Sequence, residues 1–211
     1  MATEKRQLTA QDWAAAALDA MGRGGAAAVA VEPLARRLGA TRGSFYWHFS
    51  ARRDLVRAAL ALWERRETED VIAGVEALPG PRERLRTLLL GALRSTTEAG
   101  SAEVELALQA SVADPDVAET LARVTERRLD YLADQFAALG HGAATARERA
   151  VMAYSAFLGH AQLVHATPSL APAGDGLAGY ADRWIVLLVD PAPDPATAPA
   201  TALAAAPGGA R

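Results

Sequence analysis

The chain has 211 residues, of which 51% are hydrophobic, and its formal net charge is −3 at pH 7. An apolar fraction of this size can bury a sizeable core, so the composition excludes a disordered protein. The absence of cysteine excludes a disulfide framework and thiol chemistry, and is typical of a reducing compartment. No targeting segment is visible, and no stretch approaches the roughly 18 uninterrupted apolar residues of a membrane span. We therefore expect a cytoplasmic protein without membrane contact.

Charge is distributed unevenly along the chain. Residues 1–60 carry nine Lys or Arg against five Asp or Glu, a net charge of +4, whereas the remainder carries −7. A basic segment on an acidic chain is what a DNA-contacting module attached to a second domain should show, because phosphate neutralisation supplies most non-specific affinity. Lys5 is the only lysine, so the abundance of arginine alone is not counted as an indication.

The first predicted helix runs from Thr9 to Met21 and is followed by a glycine-bearing loop, Gly22–Gly25. Three glycines in four residues could also suggest a phosphate-binding loop. That alternative is disfavoured because the segment follows a helix rather than a strand and lacks a Lys-Ser or Lys-Thr pair. We expect a helix end and a turn here.

The next segment predicts two short helices joined by a tight turn. Pro33 stands in the first turn of the earlier helix, where its missing amide is tolerated. Gly39 follows at the position where helices often end in a left-handed residue, which glycine adopts without steric cost. Thr41 is a good N-cap for the second helix, and Phe45 and Phe49 lie four apart, facing the core. This pattern predicts a helix-turn-helix.

The outward face of the second helix carries many hydrogen-bonding groups. The residues left mostly outside are Arg42, Gly43, Ser44, Tyr46, Trp47 and His48. Five of these six can donate a hydrogen bond, and the glycine lets the backbone approach a phosphate closely. Both properties are typical of a recognition helix in the DNA major groove. His48 could instead be a satisfied helix residue, and the neighbouring arginines could form a solvated face.

Residues 8–60 resemble the DNA-binding domain of the TetR/AcrR family of bacterial transcriptional regulators. The likeness rests on the long first helix, the pairs Leu34-Ala35 and Leu38-Gly39, the run Gly43–Phe49, and Arg52–Leu55 opening a fourth helix. It implies that the residues contacting DNA are Thr41, Arg42, Gly43, Ser44, Tyr46, Trp47 and His48. It also implies that Arg52 holds a phosphate. Phe45 and Trp47 depart from the usual family residues, which affects base preference rather than fold.

Beyond Ala51, helical patterning dominates and strand alternation is absent, so the predicted fold is all-α. A helix over 51–73 is followed by strong breakers at Leu78–Pro81. Asp114 is predicted to cap a long helix that ends at Gly140. The other predicted helices span 82–97, 102–112, 145–166 and 177–189. The Pro- and Ala-rich tail, 191–211, is predicted to be disordered.

The chain therefore divides into a helix-turn-helix DNA-binding domain, 8–54, a helical domain, 55–190, and the tail. In the resembled family the helical domain binds small effectors and dimerises through its last two helices. The strip that would let the first of these helices approach a partner closely is Ala153, Ala156, Gly159 and Leu163. The large apolar residues of the second are Tyr180, Trp184, Leu187 and Leu188. Both sets could equally be intramolecular core.

Candidates for an effector site are Gln109, Tyr131, Tyr154, Phe157, His160 and Gln162. A cavity among helices is mostly apolar with a few converging polar groups, and these residue types fit that description. Plain packing or surface exposure is the alternative for each. No ligand class follows from them.

Together these features predict a sequence-specific transcriptional regulator that binds a palindromic operator in double-stranded DNA as a homodimer, because one short recognition helix makes too few contacts. The resemblance favours a repressor released by a small-molecule effector. The alternative is an architectural or non-specific DNA-binding protein without an effector. We expect no enzyme, metal or cofactor, because the four histidines form no metal-binding pair at helical spacing and no nucleophile lies near a base.

Overall fold

The computed structural model describes residues 8–97, 101–172 and 174–189. These ranges hold ten α-helices and no strand, which confirms the predicted all-α fold. The helices are α1 Ala10–Gly24, α2 Val31–Arg37, α3 Arg42–Tyr46, α4 Arg52–Glu64, α5 Asp70–Glu76, α6 Pro81–Ser95, α7 Ser101–Gln109, α8 Pro115–Ala138, α9 Ala143–Ala166 and α10 Gly176–Val189. A π-helical segment, Arg65–Glu69, joins α4 to α5. The predicted disordered tail lies outside the described residues.

Helix α1 begins with a capping box and ends later than its sequence indicates. The Asp12 amide donates to the Thr9 hydroxyl, and the Asp12 carboxylate accepts from the Thr9 amide at 2.8 Å. The predicted loop at Gly22 is wrong, because the helix continues to Gly24. A Cβ at Gly22 would lie 3.1 Å from Val104 Cγ2, so the absent side chain allows α1 to pack closely on α7. Gly25, at φ +63°, ends the helix.

The predicted helix-turn-helix is confirmed in its turn, its cap and its core contact. Gly39 has φ +63°, and the Thr41 hydroxyl accepts from the Ser44 amide at 3.2 Å. Phe45 is buried and meets the Trp13 ring of α1 edge-on at 5.6 Å. Helix α3 is short and stops at Tyr46, so the residues after it lie in the turn that leads to α4. The contact between Phe45 and Trp13 fixes the direction in which α3 presents its outer face.

Two hydrophobic clusters organise the chain. The first contains the α1–α4 core and extends into α7 through Leu108 and into α8 through Val117 and Val124. The second joins α6, α8, α9 and α10 around residues such as Phe136 and Ile185. The helix-turn-helix therefore shares its core with α7 and α8, which also form part of the helical domain.

The predicted pairing surface on the last two helices divides into core and exposed residues. Gly159, Leu163 and Leu187 are exposed. The predicted residues that contribute to the intramolecular core are Ala153, Ala156, Tyr180, Trp184 and Leu188. Helix α9 packs against α8 and α6, and α10 packs against α6 and α9, so these residues face other helices of the same chain. Within the described ranges, no helix combines the length and hydropathy that crossing a bilayer requires.

Gly25→Ala tests the close contact between α1 and α7. An alanine Cβ here would approach Ser111 Oγ to 2.0 Å, in a backbone conformation that side chains rarely adopt. We expect the free energy of unfolding, measured by urea denaturation, to fall by about 2–3 kcal/mol from combined strain and overpacking.

Gly39→Ala is the matched control, because Gly39 has the same φ of +63° but no atom within 4 Å of an added Cβ. It should lose only about 1–2 kcal/mol from backbone strain. Adding Ser111→Ala to Gly25→Ala should reduce the loss to that of Gly39→Ala. Equal losses in the two single variants would contradict the close contact.

Candidate DNA-binding surface and effector cavity

The outer face of α3 and the following turn expose large side chains that a core would normally bury. Tyr46 is 55% and Trp47 88% exposed, although they are the two residues that come after the buried Phe45. Exposed aromatic rings of this size on a rigidly anchored helix usually indicate a contact surface. The two rings are therefore available to a partner in front of α3.

Arg42 is held at the start of this surface by contacts that a ligand can replace. Its guanidinium lies 3.3 Å from the Glu32 carboxylate, donates to the Tyr46 hydroxyl at 3.4 Å, and stands 5.9 Å from the Tyr46 ring centre. Both partners of the ion pair are largely exposed, and such pairs contribute only about 0–1 kcal/mol. The guanidinium can therefore exchange Glu32 for a phosphate or a base edge at small cost.

The other residues predicted to contact DNA lie in two different environments. A surface cleft is lined by Leu8, Thr41, Gly43, Ser44, Trp47 and His48, so five predicted residues converge there. Arg52 lies at the start of α4 as predicted, but its guanidinium donates to the Val29 carbonyl at 2.6 Å and to the Ala26 carbonyl. Arg52 therefore holds the connection between α1 and α2, and its phosphate contact stays a prediction.

Two further arginines, Arg53 and Arg57 on α4, connect the helix-turn-helix to α8. Arg53 and Arg57 both donate to the buried Asp116 carboxylate, at 2.6 and 3.0 Å. The hydrogen bond from Arg53, with a further one from Arg57, lowers the pKa of Asp116 from 3.8 to about 2. The carboxylate thus stays charged, and the ion pairs anchor α4 to the first turn of α8.

A cavity of about 360 Å³ lies in the helical domain, between α4, α5, α6, α7, α8 and α9. Its size falls within the range of small-molecule sites, and its lining is mostly apolar. Three of the predicted effector residues line it: Tyr131, Tyr154 and Phe157. Burial raises the pKa of both tyrosines, and the neighbouring Glu105 charge adds to the shift at Tyr154. Both phenols are therefore neutral hydrogen-bonding groups at neutral pH.

The other three predicted effector residues lie outside the cavity lining. Gln109 is directed at Glu105, to which its amide donates at 3.3 Å. His160 is buried between α9 and α10, with its ring 5.5 Å from that of Tyr180, and burial lowers its pKa. Gln162 is exposed. Residues 160 and 162 lie on other faces of α9 than Tyr154 and Phe157, which explains the separation.

The cavity also contains a buried ionic cluster that the sequence analysis missed. Arg128 donates to the Glu105 carboxylate at 2.8 Å, to the Thr68 hydroxyl at 2.9 Å and to the Glu67 carbonyl at 3.2 Å. Tyr154 donates its hydroxyl to Glu105 at 2.9 Å. Burial opposes the charge on Arg128, but Glu105 and Tyr154 outweigh it and raise the pKa of the guanidinium.

A signal for Arg128 is present in the sequence of α8. The buried residues Val117, Leu121, Val124, Tyr131 and Gln135 recur at spacings of three and four, and position 128 falls on the same stripe. A charged residue on an otherwise buried stripe is almost never tolerated without partners. The spacing alone therefore predicts a buried, paired guanidinium at this position.

The comparisons with known proteins agree with this arrangement. Residues 14–59 match the family model of bacterial regulatory proteins, tetR family. The fold is similar to a transcriptional regulator from Rhodococcus sp. Rha1, with a TM-score of 0.71 and 22% identity over 86% of this chain and 96% of that one. No curated protein matches at the level of sequence.

Two further structures of similar fold contain bound molecules. The regulator FadR from Bacillus subtilis, in complex with stearoyl-CoA, has a TM-score of 0.67 and 14% identity over 86% of this chain and 98% of that one. AibR, in complex with isovaleryl coenzyme A and operator DNA, has a TM-score of 0.58 and 19% identity over 84% and 98%. At these identities the similarity establishes the fold alone.

Arg42→Ala and Tyr46→Phe test the outer face of α3. Each should weaken binding of a selected operator duplex, measured by fluorescence anisotropy at physiological salt, by about 1–3 kcal/mol if it removes a base contact. Thermal stability should be unchanged because both side chains are exposed. Arg147→Ala removes an exposed arginine with one surface ion pair far along the chain, and should leave DNA affinity unaltered. Wild-type affinity in both α3 variants would contradict this placement of the recognition helix.

Proposed function

We propose that this chain, which carries the DNA-binding domain of the tetR family of bacterial regulatory proteins and the fold of its transcriptional regulators, is a homodimeric repressor that a small molecule releases from its operator. Its DNA-binding domain spans 8–54 and its effector and dimerisation domain 55–190. The observation that carries the proposal is the position of α7, which has the cavity on one side and α1 on the other. A ligand that displaces α7 therefore acts directly on the helix against which α3 is anchored.

Neighbouring residues on α7 make the two sets of contacts. Glu105 lines the cavity and binds Arg128, whereas Val104 packs against Gly22 of α1. At the end of the same segment, Ser111 lies against Gly25. Tight packing at two glycines leaves α1 little freedom to absorb a shift of α7. A displacement on the cavity side is thus transmitted to α1 and, through the contact of Trp13 with Phe45, to α3.

The ligand acts in this proposal by population shift. It favours an arrangement in which two α3 helices no longer match successive major grooves, about 34–36 Å apart. FadR was solved in complex with stearoyl-CoA, and AibR in complex with isovaleryl coenzyme A and operator DNA. These two complexes support the proposal that this chain binds both a small molecule and DNA. A non-specific architectural protein would have no use for a preformed apolar cavity in its second domain.

The exposed apolar face of α9 and α10 supports the homodimer. It consists of Met152 and Leu163 on α9 with Val186 and Leu187 on α10, all exposed. Exposed apolar side chains that form a patch are typical of an interface between copies of a chain. A palindromic operator requires a two-fold pairing that places two copies of α3 on one side of the dimer.

Selection of bound sequences from a random DNA pool is the experiment that tests the proposed function. We expect a palindromic winner that binds at least about a thousandfold tighter than a scrambled duplex at physiological salt. Candidate small molecules that raise the melting temperature of the protein should then lower its affinity for the winner. Equal, steeply salt-dependent binding to both duplexes would instead indicate an architectural protein. Ligands that bind without changing operator affinity would contradict the release mechanism.

Leu187→Glu tests the dimer. The Leu187 side chain is 75% exposed, so a glutamate at this position should leave the fold intact. In an interface the new carboxylate would lose its hydration, which is unfavourable. We expect sedimentation analysis to show a shift towards monomer and the affinity for a palindromic operator to fall with it. Leu170→Glu is the matched control, because Leu170 is 73% exposed but lies beyond the end of α9. A Leu187→Glu variant that stays dimeric would contradict the proposed interface.

A further inference from the structure

We propose that Arg42 and Glu32 act as one unit that reads a G·C base pair in the major groove, with Glu32 as a specificity-determining residue that accepts from cytosine. This inference rests on the proposed function, since it names the base pair that the DNA-binding domain recognises. Three observations support it: the two side chains are exposed together, Arg42 keeps N–H groups for a base, and the donors and the acceptor lie in the order that a G·C edge complements.

The two side chains lie where they can reach base edges. Arg42 is the first residue of α3, and the first residues of a recognition helix are those that contact bases. Glu32 belongs to the first turn of α2, and its Oε1 lies 3.3 Å from Nη1 of Arg42. The Arg42 and Glu32 side chains are 64% and 63% exposed. DNA in front of α3 would therefore meet the guanidinium and the carboxylate together.

Arg42 can contact guanine without giving up Glu32. Its Nη1 donates to the Glu32 carboxylate, and its Nη2 donates to the Tyr46 hydroxyl at 3.4 Å. Each of these two nitrogens carries two N–H groups, so the contacts within the described part of the chain leave one N–H on each. A pair of guanidinium donors is what arginine uses to bind O6 and N7 of guanine. Glu32 and Tyr46 thus hold the guanidinium in place and leave two donors for a base.

The order of these groups matches one base pair. From the Tyr46 side to the Glu32 side, the surface presents Nη2, Nη1 and Oε1, which are a donor, a donor and an acceptor. The major-groove edge of a G·C pair presents the acceptors N7 and O6 of guanine and then the N4 amino donor of cytosine. O6 and N4 share a hydrogen bond, so they lie about 2.9 Å apart, close to the 3.3 Å between Nη1 and Oε1.

An A·T pair does not fit the same groups. Its major-groove edge presents N7 as an acceptor, the N6 amino group as a donor and then O4 as an acceptor. The adenine amino group would face a donor of Arg42, and thymine O4 would face the Glu32 carboxylate. Both charged groups would then lose hydration without gaining a hydrogen bond, which is unfavourable. The pair therefore discriminates against A·T as well as in favour of G·C.

The carboxylate also limits attraction to DNA of any sequence. An arginine that faces DNA alone gains affinity from every phosphate backbone, because neutralisation of phosphate does not depend on sequence. Glu32 offsets the charge of Arg42, so the pair as a unit has no net charge. The Glu32 carboxylate lies against DNA favourably where cytosine N4 donates to it. Removal of Glu32 should therefore weaken binding to the correct site and strengthen binding to other sequences.

Glu32→Ala tests the reading unit on the full chain. We expect the wild-type protein to select a palindrome with a G·C pair at the same position of both half-sites. The variant should bind this duplex more weakly and a scrambled duplex more tightly, as measured by fluorescence anisotropy at physiological salt. The ratio of the two affinities should fall at least about tenfold, because a hydrogen bond to a charged group is lost at each half-site. The side chain is exposed, so folding should be unaffected.

Asp19→Ala is the matched control. The Asp19 carboxylate on α1 is 66% exposed and lies 3.3 Å from a guanidinium nitrogen of Arg37, which ends α2 rather than lying on α3. The substitution makes the same change in charge within the same domain. It should leave the ratio of the two affinities unaltered.

Base analogues test the guanine contact directly. Replacing the guanine of the selected pair by 7-deazaguanine removes the N7 acceptor, and should weaken wild-type binding about tenfold. The same replacement should not weaken binding of Arg42→Ala any further. Inosine keeps N7 and O6 and loses only the amino group in the minor groove, so it should bind like guanine.

The outcomes separate the reading unit from the proposed function. A palindromic winner without the shared G·C pair would overturn the reading unit and leave the repressor proposal intact. The same holds if Glu32→Ala raises the affinity for both duplexes equally, or if Asp19→Ala lowers the affinity ratio as much as Glu32→Ala does, because either result would indicate a general effect of charge. Selection of no sequence would overturn both proposals.

Discussion

The helical domain is built around one buried guanidinium. An arginine can be buried only where its donors find acceptors, and Arg128 finds them on three other parts of the chain: the π-helical segment at Glu67 and Thr68, α7 at Glu105, and α9 at Tyr154. The contact with the Glu67 carbonyl also gives the π-helical turn a physical reason, since a widened turn offers a backbone acceptor that a regular helix would use internally. These contacts fix the walls of the cavity.

The same constraint places α7 in contact with both the cavity and α1. Glu105 ties α7 to the cavity, while the preceding residue, Val104, lies against Gly22 of α1. Ser111, just after α7, lies against Gly25, just after α1. Small residues at both contacts bring the helix backbones close together, so a change in α7 cannot be absorbed by side-chain rearrangement alone. The Asp116 ion pairs with α4 provide a second connection of the same kind on α8.

The sequence predicted the features that depend on local rules. The turn at Gly39, the cap at Thr41 and the burial of Phe45 each follow from one residue and its near neighbours. The cavity depends instead on the way in which six helices meet, which residue type alone does not reveal. Three of the six candidates, Tyr131, Tyr154 and Phe157, line it, whereas Gln109, His160 and Gln162 do not. Arg128 was missed because only apolar, aromatic, amide and histidine side chains were considered for the cavity, although its spacing on α8 puts it on the buried stripe.

The net charge of residues 1–60 overstates the positive charge that is free to attract DNA, because several arginines bind other parts of the chain. Arg37 donates to the Ala16 carbonyl and pairs with Asp19 of α1, Arg52 holds the carbonyls before α2, and Arg53 and Arg57 bind α8. Much of the positive charge of residues 1–60 thus positions helices, whereas Arg42 keeps an exposed and exchangeable partner. One α3 then offers little phosphate attraction, so in the proposed dimer specific affinity comes from two copies of α3 and from the proposed contacts of its exposed rings.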